Sequence, residues 1–202
     1  MQLMEAYARI KSLKQPIFRT RNIAAFLKIN IATASKILNR LSKQKHVVHL
    51  LAGVWGIPEQ IDPLMLPEYL VAPFPCYISL QSALYYHGMI TQIPAVIYAV
   101  SPARTKRYNT ILGSVSIHHV KPNFFFDYKV VGKNGIKIAT PEKALLDICY
   151  LSATKTKLFC SLPELEFPEN FDHHKIKQII GKIKSANKKT LMANCFAKYV
   201  ES

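Results

Sequence analysis

Residues 17–57 read IFRTRNIAAFLKINIATASKILNRLSKQKHVVHLLAGVWGI, and this stretch decides the fold of the first part of the chain. Thr20 is a suitable cap for a short helix whose apolar positions are Ile23, Ala24, Phe26 and Leu27. Lys28-Ile29-Asn30 reads as a tight turn, and a second helix is predicted from about Ile31 to Gln44. On a wheel of that helix Ala34, Ile37, Leu38 and Leu41 share one face. The opposite face carries Lys36, Asn39 and Lys43, flanked by Thr33, Ser35 and Arg40, with no acidic residue. Asn and Arg can make bidentate contacts to base edges, while Lys, Ser and Thr hold phosphates. The β-prone runs Val47–Leu51 and Val54–Ile57 surround Ala52-Gly53 and predict two short strands with a turn, a wing.

Working outward, Met4, Tyr7, Ala8 and Ile10 to Leu13 predict a preceding helix that Pro16 ends. Helix, helix-turn-helix and hairpin in that order predict a winged helix-turn-helix over residues 1–57. Its DNA contacts would be Thr33, Ser35, Lys36, Asn39, Arg40 and Lys43 on the second helix. Arg19, Arg21, Lys45 and His49 would hold phosphates around it.

Charge agrees with this. The 202 residues carry 27 Lys+Arg against 12 Asp+Glu, a formal net charge of +15. Ten of those basic residues and only two acidic ones fall in residues 1–60, which places +8 there. Such an excess requires an acidic partner: nucleic acid first, then an anionic membrane surface, then an acidic protein. Half the residues are apolar and mean hydropathy is +0.08, so the chain can bury a core and is not disordered by composition. No apolar run approaches the roughly 18 residues of a bilayer span, and Glu5 and Arg9 interrupt the N-terminal apolar pattern, which argues against a signal peptide. Cys76, Cys149, Cys160 and Cys195 are widely spaced without a CxxC pair, the pattern of reduced, mostly buried thiols in a cytoplasmic protein. No GxGxxG or GxxxxGK[ST] occurs, which excludes the common glycine-rich nucleotide loops.

Pro58, Pro63, Pro67, Pro73 and Pro75 mark residues 58–75 as a stiff linker, with one helical turn near Leu64–Leu70. Residues 76–202 read as a mixed α/β domain, making the whole chain α+β. Ser79 is placed to cap a helix running to about His87, where a histidine beside the buried face reads as a satisfied core residue. Strands are predicted at Ala95–Val100, Val115–Val120, Tyr128–Val131 and Ile136–Ala139. The 101–108 segment between the first two reads as a loop bearing Arg104, Lys106 and Arg107. It is either a solvated turn or a second contact for phosphate or an acidic partner. Thr140-Pro141-Glu142 is a strong helix start. Two amphipathic helices close the chain, one capped by Asp172 with Ile176, Ile179, Ile180 and Ile183 on a face, the next marked by Leu191, Cys195 and Tyr199.

Several motifs resemble the AbiEi-type antitoxins, regulatory partners in bacterial type IV toxin–antitoxin systems. GVWGIP (53–58) resembles that family's Gly-Val-Tyr-x-x-Pro wing ending, with Trp55 in place of tyrosine. YISLQSALYYHGMI (77–90) resembles its Ser-x-x-Ser-Ala-Leu-x-x-His-Gly helix, and IPAVIYAVSPARTKRY (93–108) its following strand and basic turn. GIKIATPEKALLDICYL (135–151) resembles its strand followed by a Pro-Glu-(Arg/Lys)-Ala-Leu-x-Asp helix. The resemblance implies a bifunctional protein. The N-terminal domain would bind and repress its own promoter, and the C-terminal domain would counter a nucleotidyltransferase-type toxin.

No catalytic set is legible. Glu142 and Asp147 lie about 140° apart around a helix. Neither His118-His119 nor His173-His174 has further ligands at zinc spacing. The expectation is a DNA-binding protein that is not an enzyme and has no metal, cofactor or membrane partner. Its target would be double-stranded DNA, its own promoter with repeated half-sites. Two alternatives stand beside it: a plain winged-helix transcription factor with a ligand- or partner-sensing C-terminal domain, and a nucleic-acid-cleaving enzyme in which Asp127, Glu142 and a lysine converge.

Overall fold

The computed structural model describes residues 2–153 and 163–200 and is a mixed α+β structure with two sheets. Cys160 lies outside the described residues. The first part runs α1 (Leu3–Ser12), β1 (Ile17–Arg19), α2 (Thr20–Leu27), α3 (Ile31–Lys43), β2 (Val48–Leu51) and β3 (Val54–Gly56). The strands form an antiparallel sheet in the order β1-β3-β2, with Trp55 facing Phe18 on one side and His49 on the other. β1 is not expected from the sequence, because three residues are too few to show a period. Ala34, Leu38 and Leu41 of α3 are buried, the two leucines in a cluster with Ala6 and Ile10 of α1, Ile23 and Leu27 of α2, and Trp55. Thr20 does not cap α2 as expected: it is the first helical residue, and its hydroxyl accepts a 2.9 Å hydrogen bond from Trp55 Nε1. A cap absent from the sequence reading is Asn30, whose side chain accepts the Thr33 amide at 2.7 Å and opens α3.

The proline-rich stretch contains the helical turn expected near Leu64–Leu70, and more besides. Pro58–Gln60 and Pro63–Met65 form single 3-10 turns, and Leu66–Val71 is a short helix, α4. The prolines sit in the first positions of these turns, where a missing N–H costs nothing. Met65, Leu66, Leu70 and Val71 are buried in one cluster with Ile17, Leu50 and Val54 of the first sheet. Gly56 admits Ile61 so closely that a Cβ there would collide with Ile61 and with the Pro16 carbonyl. The connection thus carries apolar packing from the small sheet to the larger part of the molecule.

That larger part contains β4 (Tyr77–Ile78), α5 (Leu80–Tyr86), β5 (Val96–Ser101), β6 (Lys106–Thr110), β7 (Gly113–His119), β8 (Tyr128–Val131), β9 (Ile136–Ala139), α6 (Pro141–Ser152), α7 (His173–Gly181) and α8 (Ala186–Val200). The sheet order is β6-β7-β5-β4-β9-β8, with parallel pairs β5/β7 and β4/β9 and antiparallel pairs elsewhere. The expected strands are present at nearly the expected bounds. The 101–108 segment is corrected: its second half belongs to the edge strand β6, because Lys106–Thr110 pairs with β7. In α8 the buried residues are Met192 and Phe196, while Leu191 is exposed, so the apolar face is turned one residue from the expected one.

α6 is the central helix, packed against α5, α7 and α8 and buried from Glu142 to Leu151. It brings Lys143 and Asp147 into the core, where both side chains are 0% exposed and paired with each other. Asp147 Oδ2 also accepts hydrogen bonds from Tyr77 OH (3.0 Å) and Ser79 Oγ (2.7 Å). This corrects the expected role of Ser79: it stands at the N-cap position of α5 without a side-chain capping bond, and its hydroxyl goes to Asp147. Lys143 Nζ lies 4.0 Å from the ring centre of Phe124 and 4.6 Å from that of Phe126. Burial pushes the Asp147 carboxyl up and the Lys143 ammonium down, each opposed by the charge of the other.

Removing one member of such a pair leaves the other charge uncompensated, at a cost of about 3–5 kcal/mol. Asp147→Ala should cost more than Lys143→Met, because it also orphans the Tyr77 and Ser79 hydroxyls, at about 1–3 kcal/mol each. In Lys143→Met the Asp147 carboxyl loses the cation that lowers its pKa, so its native pKa rises further above the unfolded value. That variant should lose stability as pH rises above the unfolded carboxylate's pKa and regain it on acidification. Urea denaturation of both variants at acidic and alkaline pH checks this, and equal stabilities across pH would contradict it.

Candidate nucleic-acid interface

The outer face of α3 is held in position by its inner one. With Ala34, Leu38 and Leu41 fully buried, the helical period turns Thr33, Lys36, Asn39, Arg40 and Lys43 to solvent, with Ser35 half-buried. Arg40 and Lys43 also lie in the last turn, where cations complement the helix dipole. The ion pairs among the described residues join Lys137 to Glu68, Lys143 to Asp147 and Lys175 to Asp127, and none reaches this face. Its cations therefore have no carboxylate partner within the described residues. Asn39 is partly engaged: its Nδ2 donates to the Ser35 carbonyl at 2.9 Å, which leaves its oxygen as a free acceptor.

The surrounding residues divide. Lys45 follows α3 in a left-handed conformation (φ 62°) and is exposed. Arg21 is exposed on the first turn of α2. His49 is exposed on β2, its ring 4.4 Å from that of Trp55. Because Trp55 also bonds to Thr20, the β2–β3 hairpin is braced against the start of α2. Arg19 is engaged with α4. Its Nη2 donates to the Tyr69 carbonyl at 3.1 Å and ties the small sheet to α4.

Arg104, Lys106 and Arg107 do not all project from one face. Lys106 and Arg107 are neighbours on β6 and project to opposite faces, Arg107 opposite Ser116 and Lys106 opposite Ile117. Arg104 lies in the preceding turn, which is pinned by Ser101 Oγ, donating to the Pro75 carbonyl and accepting the Ala103 amide.

Several of the residues weighed for catalysis have structural partners. Asp127 pairs with Lys175 at 2.6 Å and accepts from Thr140 at 3.0 Å, while Glu142 accepts the Asp172 amide at 3.1 Å. His87 Nε2 lies 2.7 Å from the Ala139 carbonyl. His118 is buried, which pulls its pKa down to about 4, and its Nε2 is 2.9 Å from Ser116 Oγ. Among the described residues no three His, Cys, Asp or Glu side chains are grouped to hold a metal ion. No described helix is long and apolar enough to cross a membrane.

Comparison with protein-family models gives no match, and a search of curated proteins also finds none. The geometry of the chain itself is the ground for a functional reading.

The Arg19 contact yields a direct test. Arg19→Ala should lower stability by about 1.5–3 kcal/mol, the range for a hydrogen bond to a charged group. Urea denaturation of the variant checks this, and a stability equal to that of the wild type would contradict it.

Proposed function

We propose that this chain is a double-stranded-DNA-binding repressor built on an N-terminal winged helix. α2 and α3 are the helix-turn-helix, α3 is the recognition helix, and β2–β3 is the wing. The observation that carries this reading is the exposed outer face of α3, where Lys36, Arg40, Lys43 and Thr33 lie with no carboxylate among them. In a major groove, Arg40 and Asn39 are of the right type to read base edges, while Lys36, Lys43, Thr33 and Ser35 would hold phosphates. Asn39 would keep or exchange its bond to Ser35 on docking, using its free oxygen for a donor such as the adenine amino group. Arg21, Lys45 and His49 would flank the helix on the backbone.

The regulatory half of the proposal rests on the resemblance to AbiEi-type antitoxins. The DNA target is the chain's own promoter, bound at repeated half-sites about one helical turn or a multiple apart. The second functional partner is a nucleotidyltransferase-type toxin, which the larger α/β part would counter.

Lys36→Ala should weaken binding at every sequence and reduce the salt slope by about one unit. Asn39→Ala and Arg40→Ala should each cost about 1–3 kcal/mol at particular base pairs. Gel-shift titration and footprinting on the upstream DNA check these values. The DNA reading fails if no footprint forms at low salt, or if the Lys36/Asn39/Arg40 triple alanine binds like the wild type. The antitoxin half is separable: the full-length triple alanine should lose repression yet still rescue cells expressing the toxin. Repression without any rescue by the wild type would leave a plain winged-helix transcription factor.

A further inference from the structure

A cleft of about 540 Å³ opens between the segment after β7, the end of α6 and the corner joining α7 to α8. Its size lies within the roughly 300–1,000 Å³ usual for small-ligand sites. Four lysines from two separate stretches of chain converge on it. Lys121 precedes the Pro122–Phe124 turn, Lys182 and Lys184 come from the α7–α8 corner, and Lys188 comes from the first turn of α8. Among the described residues no carboxylate lines it, and residues 173–200 hold seven lysines with no Asp or Glu. A cleft of this kind sets like charges against each other. Lys188 stands against the wall, its Nζ 3.0 Å from the ring centre of Tyr150, and burial foremost, with the Lys121 charge second, lowers its pKa to about 8.

Apart from Asn123 and Ser185, the rest of the lining is aromatic or aliphatic, and its aromatic part is firmly held. Phe124 stacks on Tyr150 with ring centres 4.0 Å apart, and the buried Lys143 ammonium rests against Phe124 and Phe126 from the core. Phe126, Ile179 and Ile183 are half-buried along the same wall. Ser185, also in the lining, accepts the Lys188 amide at 3.4 Å and opens the fifteen-residue helix α8, so the positive end of that helix dipole is at the cleft. A small inorganic anion would satisfy the lysines and leave the apolar wall wet. A ligand with a phosphate group and a flat apolar part satisfies both.

We propose that this cleft binds a nucleoside phosphate, its phosphates among Lys121, Lys184 and Lys188 and its base against the wall formed by Phe126, Ile179 and Ile183. The site is made of elements other than α3, so it is independent of the DNA reading.

Calorimetric titration of the full chain with ADP, adenosine and pyrophosphate tests the proposal. ADP should bind, and pyrophosphate and adenosine should each bind at least tenfold more weakly. Lys121→Ala/Lys188→Ala should weaken ADP at least tenfold while a cooperative thermal transition shows that the chain remains folded. The Lys36/Asn39/Arg40 triple alanine should keep its ADP affinity within twofold. The proposal is overturned if millimolar ADP gives no heat or if pyrophosphate binds as tightly as ADP. It is equally overturned if the lysine double variant loses duplex-DNA affinity while its response to ADP is unchanged.

Discussion

The larger part of the molecule depends on one buried carboxylate. Asp147 has no solvent exposure and accepts from Lys143, Tyr77 and Ser79, so separate chain segments meet on its two oxygens. A charge buried this deeply is tolerable only when it is fully paired and hydrogen-bonded. The requirement fixes α6 against β4 and the start of α5. Once α6 is set, Tyr150 stacks on Phe124, Glu142 reaches the amide of Asp172, and the α7–α8 pair packs against α6.

The two parts of the chain share apolar packing through the prolines. Each proline-led turn between residues 58 and 71 starts helical backbone, and together they present Met65, Leu66, Leu70 and Val71 to the same cluster as Ile17 and Leu50. Arg19 adds a polar tie from β1 to α4. Positive charge is then distributed over surfaces with no acidic partner among the described residues, α3 in the first part and the α7–α8 corner in the second. Both carry lysines facing solvent, and those of the second line a cleft with an aromatic wall.

Much of this is legible in the residues, wherever one local period decides burial. The wheel of α3 separates Ala34, Leu38 and Leu41 from Lys36, Asn39 and Lys43, and the structure buries and exposes them accordingly. Tyr128–Val131 and Ile136–Ala139 read as strands at their observed bounds, and Thr140 and Asp172 cap the helices they are expected to cap. The misreadings concern side chains with a choice of partner. Thr20 and Ser79 both have good capping chemistry, yet Trp55 and Asp147, 35 and 68 residues away, claim their hydroxyls. Lys106–Thr110 has no apolar alternation of its own and becomes a strand because β7 offers it a ladder. The Lys143–Asp147 spacing of four is visible as a helical ion pair, but nothing local distinguishes a buried pair from a solvated one.

By itself the sequence determined the α+β class, the order of most elements and the location of the charge excess, because these follow from short-range periodicity and from counting. The tertiary fold decided which polar groups meet. It brought Tyr77, Ser79, Lys143 and Asp147 together, turned Arg19 toward Tyr69, and gathered Lys121 and Lys188 around one cleft. Contacts across tens of residues depend on how sheets and helices stack, and no local pattern encodes that arrangement.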